Sequence, residues 1–339
     1  EIGYDEILAL IEGSSSGSAR ARLFSAADDV RRRYMGDDVH LRGIIEFSNH
    51  CTRGCHYCGL RAPNTGLARY RMTADEIVAT AQKAAGLGLG TVVLQSGEDP
   101  AWDAASLGEV IGRIKHHTRL AVTLSVGERP RDHYSLWRQA GADRYLLKHE
   151  TADPALFEGM RPGTSLADRL TCLRHLREVG YQVGSGNIVG LPGQTSELLA
   201  RDIALLRDLD VEMAGIGPFI PHPDTPLRGA APGSVDLTLR LVAVTRLAVP
   251  WAHIPATTAL GTLDPRGRQK ALMCGANVVM PNVGPTRYRS LYQIYPGKIC
   301  VNDGAEQCLG CLHRMVESLG RAIGRGPGHS PKLGRDRRL

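Results

Sequence analysis

Three cysteines, Cys51, Cys55 and Cys58, stand in the stretch CTRGCHYC, just after a strand-like run. Six of the chain's eight cysteines fall into two tight groups, and no secretory pattern opens the sequence, so metal binding is favoured over a disulfide scaffold. Two chemistries use such a loop. A zinc site would take His56 or a distant side chain as its fourth ligand. His56 directly follows Cys55, however, which is a crowded place within one tetrahedron. A cuboidal four-iron cluster instead takes thiolates on three irons and leaves the fourth open to a small molecule with an amine and a carboxylate. The position of His56 counts against zinc, and both readings stay open at this point. Cys300, Cys308 and Cys311 form the second group, ahead of a helix-like end at 312–321. An auxiliary 2Fe–2S or 4Fe–4S cluster at the edge of the fold is expected there, with structural zinc as the competitor. Cys172 and Cys274 stand alone and read as small buried apolar residues.

The elements that position these groups alternate in type. β-branched runs at 40–47, 91–95, 120–126, 143–149, 182–189, 212–217, 254–258 and 277–280 predict strands. Amphipathic stretches between them, at 73–86, 104–116, 165–179, 196–206 and 237–249, predict helices. Thr73 with Glu76 forms a helix-start capping box. Glycines in AGLGLGTVVL, AGADRYLL, VGYQVG and CGANVV mark helix-to-strand turns. This order and size predict a complete (β/α)8 TIM barrel over 40–290, preceded by a helical segment at 1–39. A cysteine-bearing extension follows at 291–324. Residues 325–339 are basic and rich in Gly and Pro, which predicts a frayed, disordered tail.

In such a barrel the chemistry sits at the C-terminal ends of the strands. The cysteine loop follows the first, SGED (96–99) the second, SVGE (125–128) the third and HET (149–151) the fourth. GLPGQT (190–195) follows the fifth, and PFIPHPDTP (218–226) the sixth, where four prolines make a stiff loop. Alternation along the strands puts Arg144, Leu146, Lys148 and Glu150 on one face, and likewise Arg42, Ile44 and Glu46. Thr123 and Ser125 face opposite to Val122 and Leu124, and the seventh strand adds Thr257 or Thr258. A core built for stability alone would carry Val, Ile and Leu here, so a polar lumen for a small anionic molecule is expected.

The net charge is +6, of which residues 325–339 supply +4, so the rest carries no footprint for nucleic acid. No apolar run approaches the roughly 18 residues a membrane span needs. A cytoplasmic protein without membrane or nucleic-acid partners is expected.

The spacing C-x3-C-x-aromatic-C, with Tyr57 at the aromatic position, resembles the loop of the radical SAM superfamily. That resemblance implies a 4Fe–4S cluster on Cys51, Cys55 and Cys58. Once reduced, it would pass one electron to the sulfonium of S-adenosylmethionine (SAM) and release a 5′-deoxyadenosyl radical. Ser96-Gly97-Glu98-Asp99 resembles the superfamily's motif near the SAM amino group. More closely, IIEFSNHCTRGCHYCGLRAPN, VLQSGEDP, AGADRYLLKHETA, GIGPFIPHPDTPL, IPATTALGT and LYQIYPGKIC are similar to the HydE family of FeFe-hydrogenase maturases. GIGPFIPHPDTPL, and YPGKIC followed by two cysteines, are the specific part. The family likeness implies assembly of the hydrogenase diiron subcluster. Its substrate would be an iron complex carrying carbon monoxide, cyanide and cysteine, and its partners the maturases HydG and HydF. It assigns Glu150 to the SAM ribose, Arg169 to the SAM carboxylate, and Ser125 and Tyr292 to their surroundings. Gln95, Thr123, Lys148, Thr257 and Thr258 would line the substrate cavity, with Arg42 and Arg144 deeper. Lys148 departs from the family's arginine, keeping the charge but losing the bidentate fork. A carbon-skeleton mutase like methylornithine synthase and a non-enzymatic iron–sulfur carrier are the rivals; SAM cleavage separates the carrier from either enzyme.

Overall fold

The computed structural model describes residues 2–334. Two helices, Tyr4–Gly13 and Gly17–Met35, precede the strands and pack on the later helices Ser196–Asp208 and Val235–Ala248. The strands are β1 (His40–Leu41), β2 (Gly43–Ser48), β3 (Thr91–Ser96), β4 (Ala121–Ser125), β5 (Arg144–Leu146), β6 (Gln182–Val189), β7 (Met213–Pro218) and β8 (Val278–Val279). β2 to β7 form a six-stranded parallel sheet in sequence order, and β1 pairs with β8 in a parallel two-stranded sheet. Each crossover carries a helix on the outer face. Val92, Leu94, Val122, Leu124 and Tyr145 point into that helix layer and are buried with Trp137 in the apolar core.

Local signals explain the crossovers. Thr73 Oγ1 accepts from Glu76 N at 3.2 Å while Thr73 N donates to Glu76 Oε2 at 2.7 Å, so the capping box forms. Gly141 and Gly275, in two of the marked turns, have φ of 109° and 119°, which a β-carbon would strain.

The seventh expected strand differs. Residues 254–258 make isolated backbone contacts rather than a ladder: His253 bridges Met213, and Pro255 bridges Val278. Proline at 255 has no N–H to give a ladder. Thr257 is the N-cap of the helix Thr258–Leu263, its Oγ1 facing Leu260 N at 3.4 Å, so the run turns helical where a strand was expected to continue. The eighth is shortened to two residues ahead of Pro281.

The tail is the larger departure. Composition predicts fraying from 325, yet residues 326–330 lie across the N-terminal ends of the strands, held by buried side chains. Arg144 Nη2 donates to the carbonyl of Pro327 at 2.6 Å, Thr91 Oγ1 to the same carbonyl at 2.8 Å, and Arg42 Nη2 to Gly328 O at 3.1 Å. Ser330 N donates to Gln182 Oε1 at 2.8 Å. Two buried guanidiniums demand acceptors, and the tail's backbone supplies them. Residues 335–339 lie outside the described residues.

Candidate functional site

A cavity of about 390 Å³ opens at the C-terminal ends of the strands, lined by Cys51, Cys55 and Cys58 together. The loop that carries them is fixed from outside. Asp99, fully buried, accepts from Arg71 Nε and Nη2 at 2.7 and 2.9 Å and from Ser48 Oγ at 2.6 Å. Burial pushes its pKa up, but Arg71 and Ser48 outweigh that and hold it below the usual carboxylate range. The anchored turn aims Glu98 N at Cys51 Sγ, 3.4 Å away, and Arg53 N lies 3.5 Å from the same sulfur. His56 does not line the cavity; its N–H donates to Met160 O at 2.9 Å. Burial pushes the Cys55 and Cys58 thiols up, each also raised by neighbouring cysteines, while Arg161 opposes it at both. Buried thiolates therefore need a cation, and three of them facing one space with backbone donors suit an iron–sulfur cluster.

Gly97 shows how tight the contact is. A β-carbon there would meet the His50 carbonyl and lie 2.7 Å from Cys51 Cβ. Gly97→Ala should displace Cys51 and weaken retention of a reconstituted cluster on the order of tenfold, read as iron per chain after desalting. Unchanged iron content would contradict this packing.

Charged side chains continue the site. Arg53 pairs with Glu98, and its Nη2 lies 3.0 Å from Glu128 Oε2. Glu128 Oε1 in turn holds Arg169 Nε at 2.6 Å, and Arg169 Nη1 donates to Lys148 O at 2.7 Å. Arg169 Nη2 is buried with no hydrogen-bond partner, an unsatisfied donor on a residue that lines the cavity. Lys148 Nζ lies 3.1 Å from Glu150 Oε2. Glu150 sits at φ 64°, an uncommon conformation for a non-glycine residue. The backbone holds it there through Glu150 N to Gly186 O and Ile188 N to Glu150 O, both 2.9 Å. Gln95, Ser96, Gly97, Glu98, Ser125, Lys148, Glu150, Arg169, Thr257 and Thr258 all line the cavity with Tyr57. Tyr292 is buried behind the wall, with Lys298 Nζ 5.2 Å from its ring centroid.

Arg42 and Thr123 do not reach this cavity. They line a separate space of about 30 Å³ beneath Leu146, Met213 and Gly215, and Arg144 lies deeper still on the tail. The inward set expected to line one polar lumen is thus split between two spaces, and the tail's carbonyls accept from the deep arginines.

The second cysteine group also lies elsewhere than expected. Cys308 and Cys311 are inside the helix Ala305–Glu317 rather than ahead of one, and Cys300 and Cys308 line the same cavity as the first group while Cys311 is exposed. The chain just before Cys300, with Ile294, Tyr295 and Lys298, closes one wall, where Lys298 pairs with buried Glu46 and Asn282 Nδ2 donates to Glu46 Oε2 at 2.6 Å. Sequence reasoning missed Arg53, Glu128, Arg161 and Lys298. Arg53, Glu128 and Lys298 stood inside singled-out stretches; Arg161 carried no signal.

Residues 45–206 match the family model of the radical SAM superfamily. With its cysteine loop at the ends of a parallel sheet, the chain is a radical SAM enzyme. It is 54% identical over 303 residues to the [FeFe] hydrogenase maturase subunit HydE of Thermotoga maritima, covering 89% of this chain and 87% of that one. The chain belongs to the HydE family. It is also 32% identical over 266 residues to the 3-methylornithine synthase of Methanosarcina barkeri, covering 78% and 75%. The crystal structure of methylornithine synthase (PylB) superposes with a TM-score of 0.86 at 27% identity, covering 100% of this chain and 97% of that one. Among the described residues no helix is long and apolar enough to cross a membrane.

Proposed function

We propose that this chain cleaves SAM reductively and uses the radical in assembling the diiron subcluster of FeFe hydrogenase. The observation that carries the reading is the single cavity that joins three cluster thiols to a polar wall of Glu98, Ser125, Lys148, Glu150 and Arg169. A 4Fe–4S cluster bound by Cys51, Cys55 and Cys58 would supply the electron that breaks the sulfonium C–S bond. The chain's own groups orient the substrate molecules. Arg169 Nη2 takes the SAM carboxylate, Glu150 the ribose hydroxyls and Glu98 the amine, with Ser96, Gly97, Ser125 and Tyr57 shaping the space and Tyr292 backing it. Gln95, Lys148, Thr257 and Thr258 face an iron–carbonyl–cyanide–cysteine complex, whose cyanide and carboxylate accept charge-assisted hydrogen bonds. Arg42, Thr123 and Arg144 support this cavity from below. The contacts from β7 through residues 253–256 to β8 and β1 support a complete (β/α)8 barrel. Cys300, Cys308 and Cys311 are assigned to an auxiliary cluster, and the setting is the cytoplasm with HydG and HydF as partner maturases.

The test is anaerobic turnover, counting 5′-deoxyadenosine with each candidate substrate. The iron–cysteine complex produced by HydG should stimulate cleavage, and free lysine should not. Lys148→Ala should raise KM for that complex about tenfold with a smaller change in kcat, since a charge-assisted hydrogen bond contributes about 1.5–3 kcal/mol. Stimulation by lysine with methylornithine as product would transfer the chain to the mutases.

A further inference from the structure

Arg161 has no place in the substrate contacts above, yet its side chain lies within hydrogen-bond distance of a loop cysteine sulfur. It follows the short helix Pro154–Met160, and the His56 N–H bond to Met160 O at 2.9 Å ties its backbone to the cysteine loop. Its side chain is 7% exposed. Nη1 lies 3.2 Å from Cys55 Sγ and 3.1 Å from Tyr57 Oη, while Nη2 is 3.5 Å from Glu98 Oε1. The Phe157 ring centroid is 5.6 Å from Cζ, so an apolar face holds the guanidinium flat.

Charge balance shows what Arg161 is left to do. Glu98 and Glu128 are already matched by Arg53 and Arg169, so three guanidiniums in this network face two carboxylates. The surplus positive charge is the one whose shortest contacts are to a tyrosine hydroxyl and a sulfur, not to a carboxylate. A guanidinium stays charged at any working pH. A fixed positive charge beside a coordinating sulfur favours the more negative oxidation state of a cluster, and hydrogen bonds to the sulfurs act in the same direction.

We propose that Arg161 is a positioning residue that holds its charge against the Cys55 sulfur and raises the reduction potential of the radical-generating cluster. The inference rests on the radical SAM reading of the three-cysteine loop. It assigns the Met160-Arg161-Pro162-Gly163 loop to electron affinity rather than to recognition of either substrate.

The experiment is an EPR-monitored redox titration of the reconstituted protein without SAM, with iron and sulfide counted per chain. Wild type is compared with Arg161→Lys, which keeps the charge, and with Arg161→Gln and Arg161→Met, which remove it. Both neutral variants should hold as much iron as wild type but bind the electron about tenfold more weakly, a fall of about 59 mV for a one-electron couple. Arg161→Lys should stay near wild type. Equal potentials in all four proteins would overturn the assignment. Loss of iron in all three variants would overturn it too, since Arg161 would then build the loop rather than tune what it holds. A wild-type chain that takes up no four-iron cluster would remove the underlying reading itself, which separates the two failures.

Discussion

Cys55→Ser should abolish 5′-deoxyadenosine formation and leave the protein without a site-differentiated four-iron cluster. Cys55 is the most buried of the three loop cysteines at 7% exposure, so a serine hydroxyl there is desolvated as the thiol is. The neutral hydroxyl is a poor iron ligand and inherits the Arg161 contact without a thiolate's charge. Losing even a residue behind a ligand costs roughly 10–100-fold in metal affinity, so losing the ligand should cost at least about 100-fold in cluster retention. Cys51→Ser and Cys58→Ser should behave alike. Cys274→Ser is the control, because its buried thiol faces the carbonyls of Leu239 and Ala271 and does not line the cavity. The measurement pairs iron content with EPR of the dithionite-reduced protein, with and without SAM. Full SAM cleavage by Cys55→Ser, or stoichiometric zinc in its place, would sink the cluster assignment.

Deleting residues 326–339 should lower the melting temperature by roughly 4 °C or more, taking about 1.4 °C per kcal/mol for a chain of this size. Arg144 is fully buried, and burial holds its pKa down to about 10, so its charge is maintained at a cost. The deletion removes Pro327 O and His329 Nδ1 from Arg144 and Gly328 O from Arg42. An uncompensated buried charge costs on the order of 3–5 kcal/mol. A chain ending at residue 334 keeps every one of these contacts and should melt as the full sequence does. Identical melting of the two truncations would mean that the tail merely lies against the strands.

The cysteine loop and the inward face were legible because both are encoded locally. Spacing of four and three residues is enough to point three thiols at one volume. Alternation is enough to bring Leu146, Lys148 and Glu150 to the cavity while Tyr145 enters the core. Thr73 and Glu76 are three apart, so their box needs no tertiary information. What stayed hidden depends on pairs far apart in the chain. Arg161 meets Cys55 across 106 positions, and Arg144 meets Pro327 across 183. Composition also misled at the tail, because Gly326, Pro327 and Gly328 suit a segment that offers carbonyls to buried donors as well as one that stays in water. Gly90 takes part in this fit, since a β-carbon there would strike the Gly326 carbonyl. At 254–258, β-branched and small residues suggested a strand that Pro255 and the Thr257 cap break into isolated bridges.

The tail also sets an order of events during synthesis. Residues 326–330 leave the ribosome after every strand whose end they cover, so the nascent fold must assemble its strands before Arg42 and Arg144 have these acceptors. Domains fold largely from the N-terminus as they emerge. The cysteine loop at 51–58 lies at the opposite end and can therefore be shaped before the floor is sealed. A ribosome-bound chain arrested with residue 325 as its last exposed position should show the strand region protected from proteolysis but more readily cut than in the released protein. Emergence of residues 326–330, not the last crossover, then becomes the moment at which the strand region acquires its final resistance.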